Sequence, residues 1–377
     1  MDPAAEPDHG SNRPGGIGDV RRFWFRVIAV IGGVSITALG AECVVRVANL
    51  GPVVYEPRRF EPGGVPFTRL RNGAVEIPVY RPNATFSSVY DPLGDARGYL
   101  GPDGRVDYRI NGLGFRGEEV AVAKPPGTRR IICLGDSFTF GEGVHEPDTF
   151  PRKLEARLRA ESPDDKVEVI NAGVQAYGTR EEGALFSLRC QPLNPDGVVL
   201  AMFLNDATDF GETVRQHEAR THRFAPEGLA RYSRILEIFQ RGQRSRRQRD
   251  EYFATTRASF DSQNWKVNRD LLLTMKTQAD RGGFTFVVLL FPMLTGLDGH
   301  YPFEDLHDKI AATCHDIGCP LIDLLEVYRG RPDESLWVHP TDQHPNEIAH
   351  ALAADALAGY FKGAPRPSPH ERTVPDL

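Results

Sequence analysis

Five short, almost wholly apolar runs, each separated from the next by helical periodicity, constrain this chain more than any other feature. The runs are 130–134, 167–170, 197–203, 284–291 and 320–325, and helical patterns cover 150–160, 181–190, 265–279, 303–317 and 346–361. A strand that is apolar at nearly every position has to be buried on both faces. A helix between successive strands carries the chain back so that they run parallel. The pattern therefore predicts an α/β fold, a parallel sheet covered by helices on both faces. In open sheets of this kind ligands bind at the carboxyl ends of the strands, so the residues that end each run are the ones to read for chemistry.

The remaining segments arrange themselves around that domain. The 377 residues suffice for one large or two small domains. Lys124-Pro125-Pro126-Gly127 marks a boundary, which sets the α/β domain at 129–362. Before it, 49–128 is studded with proline and glycine, has β-like pieces at 74–80 and 106–110, and reads as an irregular β-rich lead-in. Within the domain, 211–264 breaks the rhythm with a largely helical insertion. It follows a strand's carboxyl end and is expected to cap the site. The proline-rich tail 363–377 is expected to be loose.

Residues 1–26 form a polar tail, disordered over 1–20, whose end is basic at Arg21, Arg22 and Arg26. An uncharged apolar run, Val27 to Ala41, follows, and Cys43-Val44-Val45 extends it past Glu42. That approaches the ~20 residues a spanning helix needs. Segment 27–48 is read as an uncleaved transmembrane anchor, with the basic flank cytoplasmic and the large domain extracytoplasmic. The alternatives are a signal peptide cut after Ala38-Leu39-Gly40, followed by secretion, and a buried amphipathic helix. A net charge of −6 argues against nucleic acid as a partner. The basic run from Arg241 to Arg249 reads as a solvated helix face. Cys43, Cys133, Cys190, Cys314 and Cys319 show no metal-ligand spacing. Cys314 and Cys319 read as two thiols, with pairing open in an oxidising compartment.

The first run stops at Gly135-Asp136-Ser137, which places one hydroxyl beyond a glycine-permitted turn. Ser137 is either a nucleophile or a helix cap. A serine nucleophile needs a base and something to orient it. Asp342 and His344 offer both, two residues apart in a loop that Pro340 and Pro345 stiffen, with His339 as the competing base. Gly173 ends the second run with an N–H that is sterically free to approach a ligand, and Asn205-Asp206 ends the third with a side-chain amide. Each reads equally as a turn or capping residue. Gly141-Glu142-Gly143 is a poor phosphate loop, because it lacks a lysine and carries an acid.

In chain order, Gly135-Asp136-Ser137, Asn171-Ala172-Gly173, Asn205-Asp206 and Asp342-Gln343-His344-Pro345-Asn346 resemble the SGNH/GDSL hydrolase superfamily over about 129–361. Asn111-Gly-Leu-Gly-Phe-Arg-Gly117 resembles the lead-in of membrane-anchored bacterial members. The resemblance implies a three-layer α/β/α fold with a five-stranded parallel sheet in flavodoxin-like order, and a site without metal or cofactor. By position it makes Ser137 the nucleophile and His344 the general base and then acid. Asp342 orients His344, and Ser137 N–H, Gly173 N–H and the Asn205 side chain are the oxyanion donors. Two departures stand out. Phe203 sits where the family usually has glycine, and the acid is one residue nearer the histidine than usual, with Thr341 in its customary place. Asp136 is expected to brace the turn. Phe138, Phe140, Phe203 and Tyr177 are read as pocket wall or core. The implied function is ester hydrolysis through an acyl-enzyme, on acylated carbohydrate or small esters. An O-acyltransferase acting on cell-surface polysaccharide and a catalytically silent carbohydrate- or partner-binding module are the alternatives.

Overall fold

The computed structural model describes residues 17–50, 55–56, 58–61, 63–207 and 227–363. The chain divides into two compact units, residues 1–53 with 224–248, and residues 54–223 with 249–377. Residues 1–16 of the expected N-terminal tail, 211–226 of the expected cap and 364–377 of the tail lie outside the described residues. In the first unit, α1 (Ile17–Val47) begins ten residues before Val27 and takes in Arg21, Arg22 and Arg26. Its stretch Val20–Val47, 28 residues containing an 18-residue window of mean hydropathy 2.0, is long and apolar enough to cross a membrane. Glu42 has a definite task. Its carboxylate accepts hydrogen bonds from Ser233 Oγ (2.9 Å), Arg234 N (2.6 Å) and Ile235 N (3.2 Å), satisfying amides at the start of the next helix of that unit.

In the second unit the lead-in is two small antiparallel sheets. One has the order β1 (Arg59–Glu61), β4 (Thr85–Val89), β5 (Arg105–Arg109), and the other pairs β2 (Phe67–Asn72) with β3 (Val75–Tyr80). Their aromatic side chains join the main core. Phe140 packs against Tyr80, Phe86 and Tyr108 at ring centroid distances of 5.1, 6.0 and 5.1 Å.

The α/β domain opens with β6 (Thr128–Gly135), the short helix α2 (Ser137–Phe140), α3 (Phe150–Glu161), β7 (Lys166–Gly173), α4 (Thr179–Leu185) and β8 (Gly197–Met202). Then come α5 (Arg234–Phe260), whose residues 234–248 belong to the first unit, α6 (Gln263–Gly282), β9 (Thr285–Leu290), α7 (Glu304–Asp316), β10 (Leu321–Asp323) and α8 (Leu325–Tyr328). A ribbon of β11 (Trp337–His339) and β12 (Asp342–Pro345) precedes α9 (Glu347–Gly363). The central sheet has the order β10-β9-β8-β6-β7, all parallel. This is the five-stranded flavodoxin-like arrangement, and every residue of β8 is buried. Winding reverses direction between β6 and β8, and open sheets bind their ligands at the strand carboxyl ends beside such a reversal. The chain there holds Ser137 on one side and Asn205 on the other.

One local reading changes. The Asp342–His344 segment is not a loop but the second strand of an antiparallel ribbon, paired His339 with Asp342 and Trp337 with Pro345. Pro345 falls at the strand end, where a missing N–H costs no ladder bond.

Candidate active site

The turn between β6 and α2 admits only glycine at its first position. Gly135 has φ 151°, and a Cβ there would lie 2.2 Å from Thr139 Oγ1 and 2.7 Å from the Ala201 carbonyl. Asp136 then caps α2, accepting Phe138 N–H at 2.8 Å. The capping task, weighed for Ser137, thus falls to Asp136, and Ser137 is left as the first residue of the helix with its hydroxyl directed elsewhere.

The ribbon brings the partner. In a strand, residues two apart share a face, so Asp342 and His344 project together, which accounts for their unusually close spacing. Asp342 Oδ1 accepts the His344 Nδ1–H in a short hydrogen bond and His344 N–H at 3.3 Å. That places the imidazole proton on Nδ1 and leaves Nε2 as an acceptor. Nε2 lies 2.8 Å from Ser137 Oγ. Ser137, His344 and Asp342, which the sequence reading grouped, therefore form one connected chain. His339 is excluded as the base. Its Nδ1 accepts Thr341 N–H at 3.1 Å, its Nε2 meets the Asp91 carbonyl at 3.0 Å, and the ring is buried.

Sequence reasoning missed what lies behind Asp342. Arg58 Nη1 donates to Asp342 Oδ2 at 2.8 Å, and the Tyr90 hydroxyl donates to the same oxygen at 2.9 Å. Arg58 also lies 3.2 Å from Glu142 Oε1, which accepts from Ser88 Oγ (2.8 Å) and Tyr108 OH (3.1 Å). Glu142 is therefore a buried acceptor, and the Gly141-Glu142-Gly143 segment is not an anion loop. Burial alone would raise Asp342. The charges of His344 and Arg58, with hydrogen bonds from His344 and Tyr90, reverse that and hold its carboxyl well below the usual range. For His344, burial opposes the imidazolium, but the charge and hydrogen bond of Asp342 outweigh it and raise the pKa above 6.5. The signal for Arg58 was weak, one of two adjacent arginines in an irregular segment 284 residues from its partner.

The donor side differs more from expectation. A Cβ at Gly173 would meet Phe140 N at 2.2 Å, so this glycine serves the close approach of β7 to α2. Its N–H is not aimed at open space but is bonded to Asn171 Oδ1 at 3.0 Å. Asn205 Nδ2 donates to Asp136 Oδ2 at 3.3 Å, which ties the third strand end to the first. Just past Gly173, Ala176 holds a left-handed φ of 66° in a turn closed by Tyr177 N–H on the Val174 carbonyl. Such a conformation in a non-glycine residue beside a site is a form of stored strain, and no motif in the sequence marks it. Phe138 stacks on Phe203 at 4.2 Å and meets the His344 ring edge-on at 5.5 Å. Phe140 and Tyr177 are core residues instead, the Tyr177 hydroxyl being bonded to the Pro78 carbonyl. Among the described residues no cluster of His, Cys, Asp or Glu is placed to hold a metal ion.

A family model described as GDSL-like lipase/acylhydrolase matches residues 133–352. No curated protein sequence matches the chain. Among solved structures, a lipase/acylhydrolase from Enterococcus faecalis is similar at 17% identity and TM-score 0.40, covering 64% of this chain and 98% of its own. An acetylxylan esterase from Geobacillus stearothermophilus is similar at 15% identity and TM-score 0.40, covering 67% of this chain and 100% of its own. A two-domain esterase active on acetylated mannans is similar at 15% identity and TM-score 0.37, covering 64% and 53%.

Proposed function

The chain belongs to the GDSL-like lipase/acylhydrolase family and is a carboxylic ester hydrolase, and on that footing we propose that Ser137, His344 and Asp342 are its catalytic triad. The observation that supports this most is the 2.8 Å contact between His344 Nε2 and Ser137 Oγ, with Nδ1 held by Asp342. Ser137 Oγ attacks the acyl carbonyl carbon as its proton passes to His344 Nε2. The resulting imidazolium is stabilised by the Asp342 carboxylate and delivers that proton to the departing alcohol oxygen. The acyl group is left on Ser137. Water then attacks the acyl-enzyme, giving its proton to His344, and the acid is released as Ser137 recovers a proton.

Ser137 N–H and the Asn205 amide are the oxyanion donors. An amide carries two hydrogens, so the bond to Asp136 can orient Asn205 without using its whole donor capacity. Gly173 N–H joins them only by leaving Asn171 Oδ1. The substrate is an acylated carbohydrate or another small ester. The aromatic pair Phe138–Phe203 beside His344 narrows the acyl side and favours short chains. Helix α1 acts as an uncleaved membrane anchor, with the second unit on the extracytoplasmic side. Ser137→Ala should abolish both turnover of p-nitrophenyl acetate and labelling by a fluorophosphonate probe. Asn205→Ala should cost on the order of a hundredfold in kcat. Retained turnover in Ser137→Ala would remove the triad from the mechanism. A profile over acyl chain length and acetylated sugars, with product analysis in the presence of an oligosaccharide acceptor, separates hydrolysis from transfer.

A further inference from the structure

Resting on that triad, we propose that Arg58, assisted by Tyr90, is a positioning residue: it grips the outer oxygen of Asp342 and so fixes the carboxylate that orients His344. The torsion that turns a carboxylate about its Cβ–Cγ bond is broad. Asp342 spends Oδ1 on His344, so what holds Oδ2 decides whether the pair stays aligned. Two donors from the lead-in hold it, Arg58 Nη1 at 2.8 Å and Tyr90 OH at 2.9 Å.

Arg58 is itself held by two further groups and by burial. Glu142 Oε1 lies 3.2 Å away, the Phe60 ring lies 4.7 Å beneath the guanidinium, and the side chain is 11% exposed. Exposed ion pairs contribute little, but this one is desolvated and shared between two buried carboxylates. The ribbon that brings the acid two residues from the histidine also brings Asp342 against the lead-in, where Arg58 meets it. Both clamping residues precede residue 133, where the family match starts. The matched stretch therefore lacks part of its own acid support, and the lead-in belongs to the catalytic unit.

The clamp has an electrostatic signature. The charged or titratable groups around His344 are Asp342 on its own ribbon, Glu142 and Asp136 flanking α2, Arg58 and Tyr90 from the lead-in, and His350 on α9. Arg58 opposes the imidazolium, whereas Asp342 and Glu142 favour it. Removing the Arg58 charge makes His344 hold its proton to higher pH, and the base must be unprotonated to act. Weaker alignment with Asp342 acts the other way, so loss of Arg58 displaces the acidic limb of kcat/KM by the difference of the two effects.

In the full chain, Arg58→Gln is expected to lower kcat about tenfold or more through misalignment of His344, with KM unchanged. It should also displace the acidic limb, since both the Arg58 charge and the alignment of Asp342 act on His344. Arg58→Lys keeps the charge but not the planar fork, and should return the limb towards its original position while kcat stays low. Tyr90→Phe, which deletes a single bond to Oδ2, should lower kcat several-fold at unchanged KM. If Arg58→Gln does not fold, the Lys and Phe variants decide: unchanged kcat in both overturns the proposal. Where Arg58→Gln folds, a kcat and an acidic limb that both stay at the parental values overturn it, provided Ser137→Ala is inactive. An active Ser137→Ala overturns the triad reading instead.

Discussion

Asp136, Glu182 and Asp206 are fully or almost fully buried and repel one another across the ends of β6 and β8 and the start of α4. Asp136 has partners in Phe138 N–H and Asn205, and burial nonetheless pushes it up to about 6. Glu182 is the extreme case. Among the described residues neither of its carboxyl oxygens has a hydrogen-bond partner. Burial first, then the charges of Asp136 and Glu181, raise it well above 4.5. A carboxyl whose pKa is higher folded than unfolded binds its proton more tightly in the native state. Its contribution is therefore complete below about pH 4.5 and is lost as pH rises through the folded value. Glu182→Gln supplies the shape and a donor hydrogen at every pH. It should stabilise the fold at pH 8 by on the order of 1–2 kcal/mol, and that gain should shrink towards pH 4.5. Thermal unfolding of both proteins at the two pH values checks this. A variant that is less stable than the parent at pH 8 would show that the ionised carboxylate is what the fold requires.

Between residue and domain, the segment Asn111–Gly117 shows how a short motif becomes a support for the site. Asn111 Oδ1 accepts Leu113 N–H and Phe115 N–H, both at 3.0 Å, and this turn delivers Arg116 to the interior. The buried guanidinium donates to the carbonyls of Phe140, Gly141 (2.6 Å) and Val144, the residues that end α2 and turn the chain towards Glu142. Arg116→Met would strand the buried Val144 carbonyl and leave those of Phe140 and Gly141 with one donor each, Asn171 Nδ2 and Val144 N–H, and should destabilise the fold by about 1–3 kcal/mol. Arg116→Lys should recover little, because an ammonium cannot reproduce the fork. Chemical denaturation midpoints would test both, and a Lys variant of parental stability would count against the geometric argument. Local pattern made the sheet readable, because strands buried on both faces must be apolar throughout, and it made Ser137, Asp342 and His344 readable as strand-end or pre-helix residues. It did not reveal the ribbon, since Pro340 and Pro345 look like loop residues and Asp342-Gln343-His344 has no apolar alternation to announce a strand. Nor could it show that Gly173 is a packing glycine, or that Arg58 and Tyr90 reach Asp342. Those facts depend on which backbones approach in space, and short-range periodicity carries no record of that.

For the molecule as a whole, α1 lies in the first unit, while the proposed triad of Ser137, His344 and Asp342 lies in the second. The 28-residue apolar stretch of α1 spans about 42 Å at 1.5 Å per residue, more than the ~30 Å of a bilayer's hydrocarbon. The uncharged part, Val27 to Ala41, covers only about 22 Å by the same rise, so one charged flank must lie close to the interface. Arg21, Arg22 and Arg26 at one flank suit snorkelling into the headgroups. At the other flank Glu42 is neutralised by Arg46 at 2.7 Å and by the amides of Arg234 and Ile235. Those bonds favour an intact helix over a cleaved leader, because cutting after Gly40 would remove most of the helix that presents Glu42. The expected outcome is therefore retention: antibody against the second unit should find the full-length chain in the membrane pellet after alkaline carbonate extraction, and detergent should release it. Glu42→Ala should leave that partitioning unchanged while loosening the start of α5, seen as faster amide exchange at 234–237. Recovery of a shortened chain in the soluble fraction would identify a cleaved signal, and release of the full-length chain by carbonate would rule out a spanning helix.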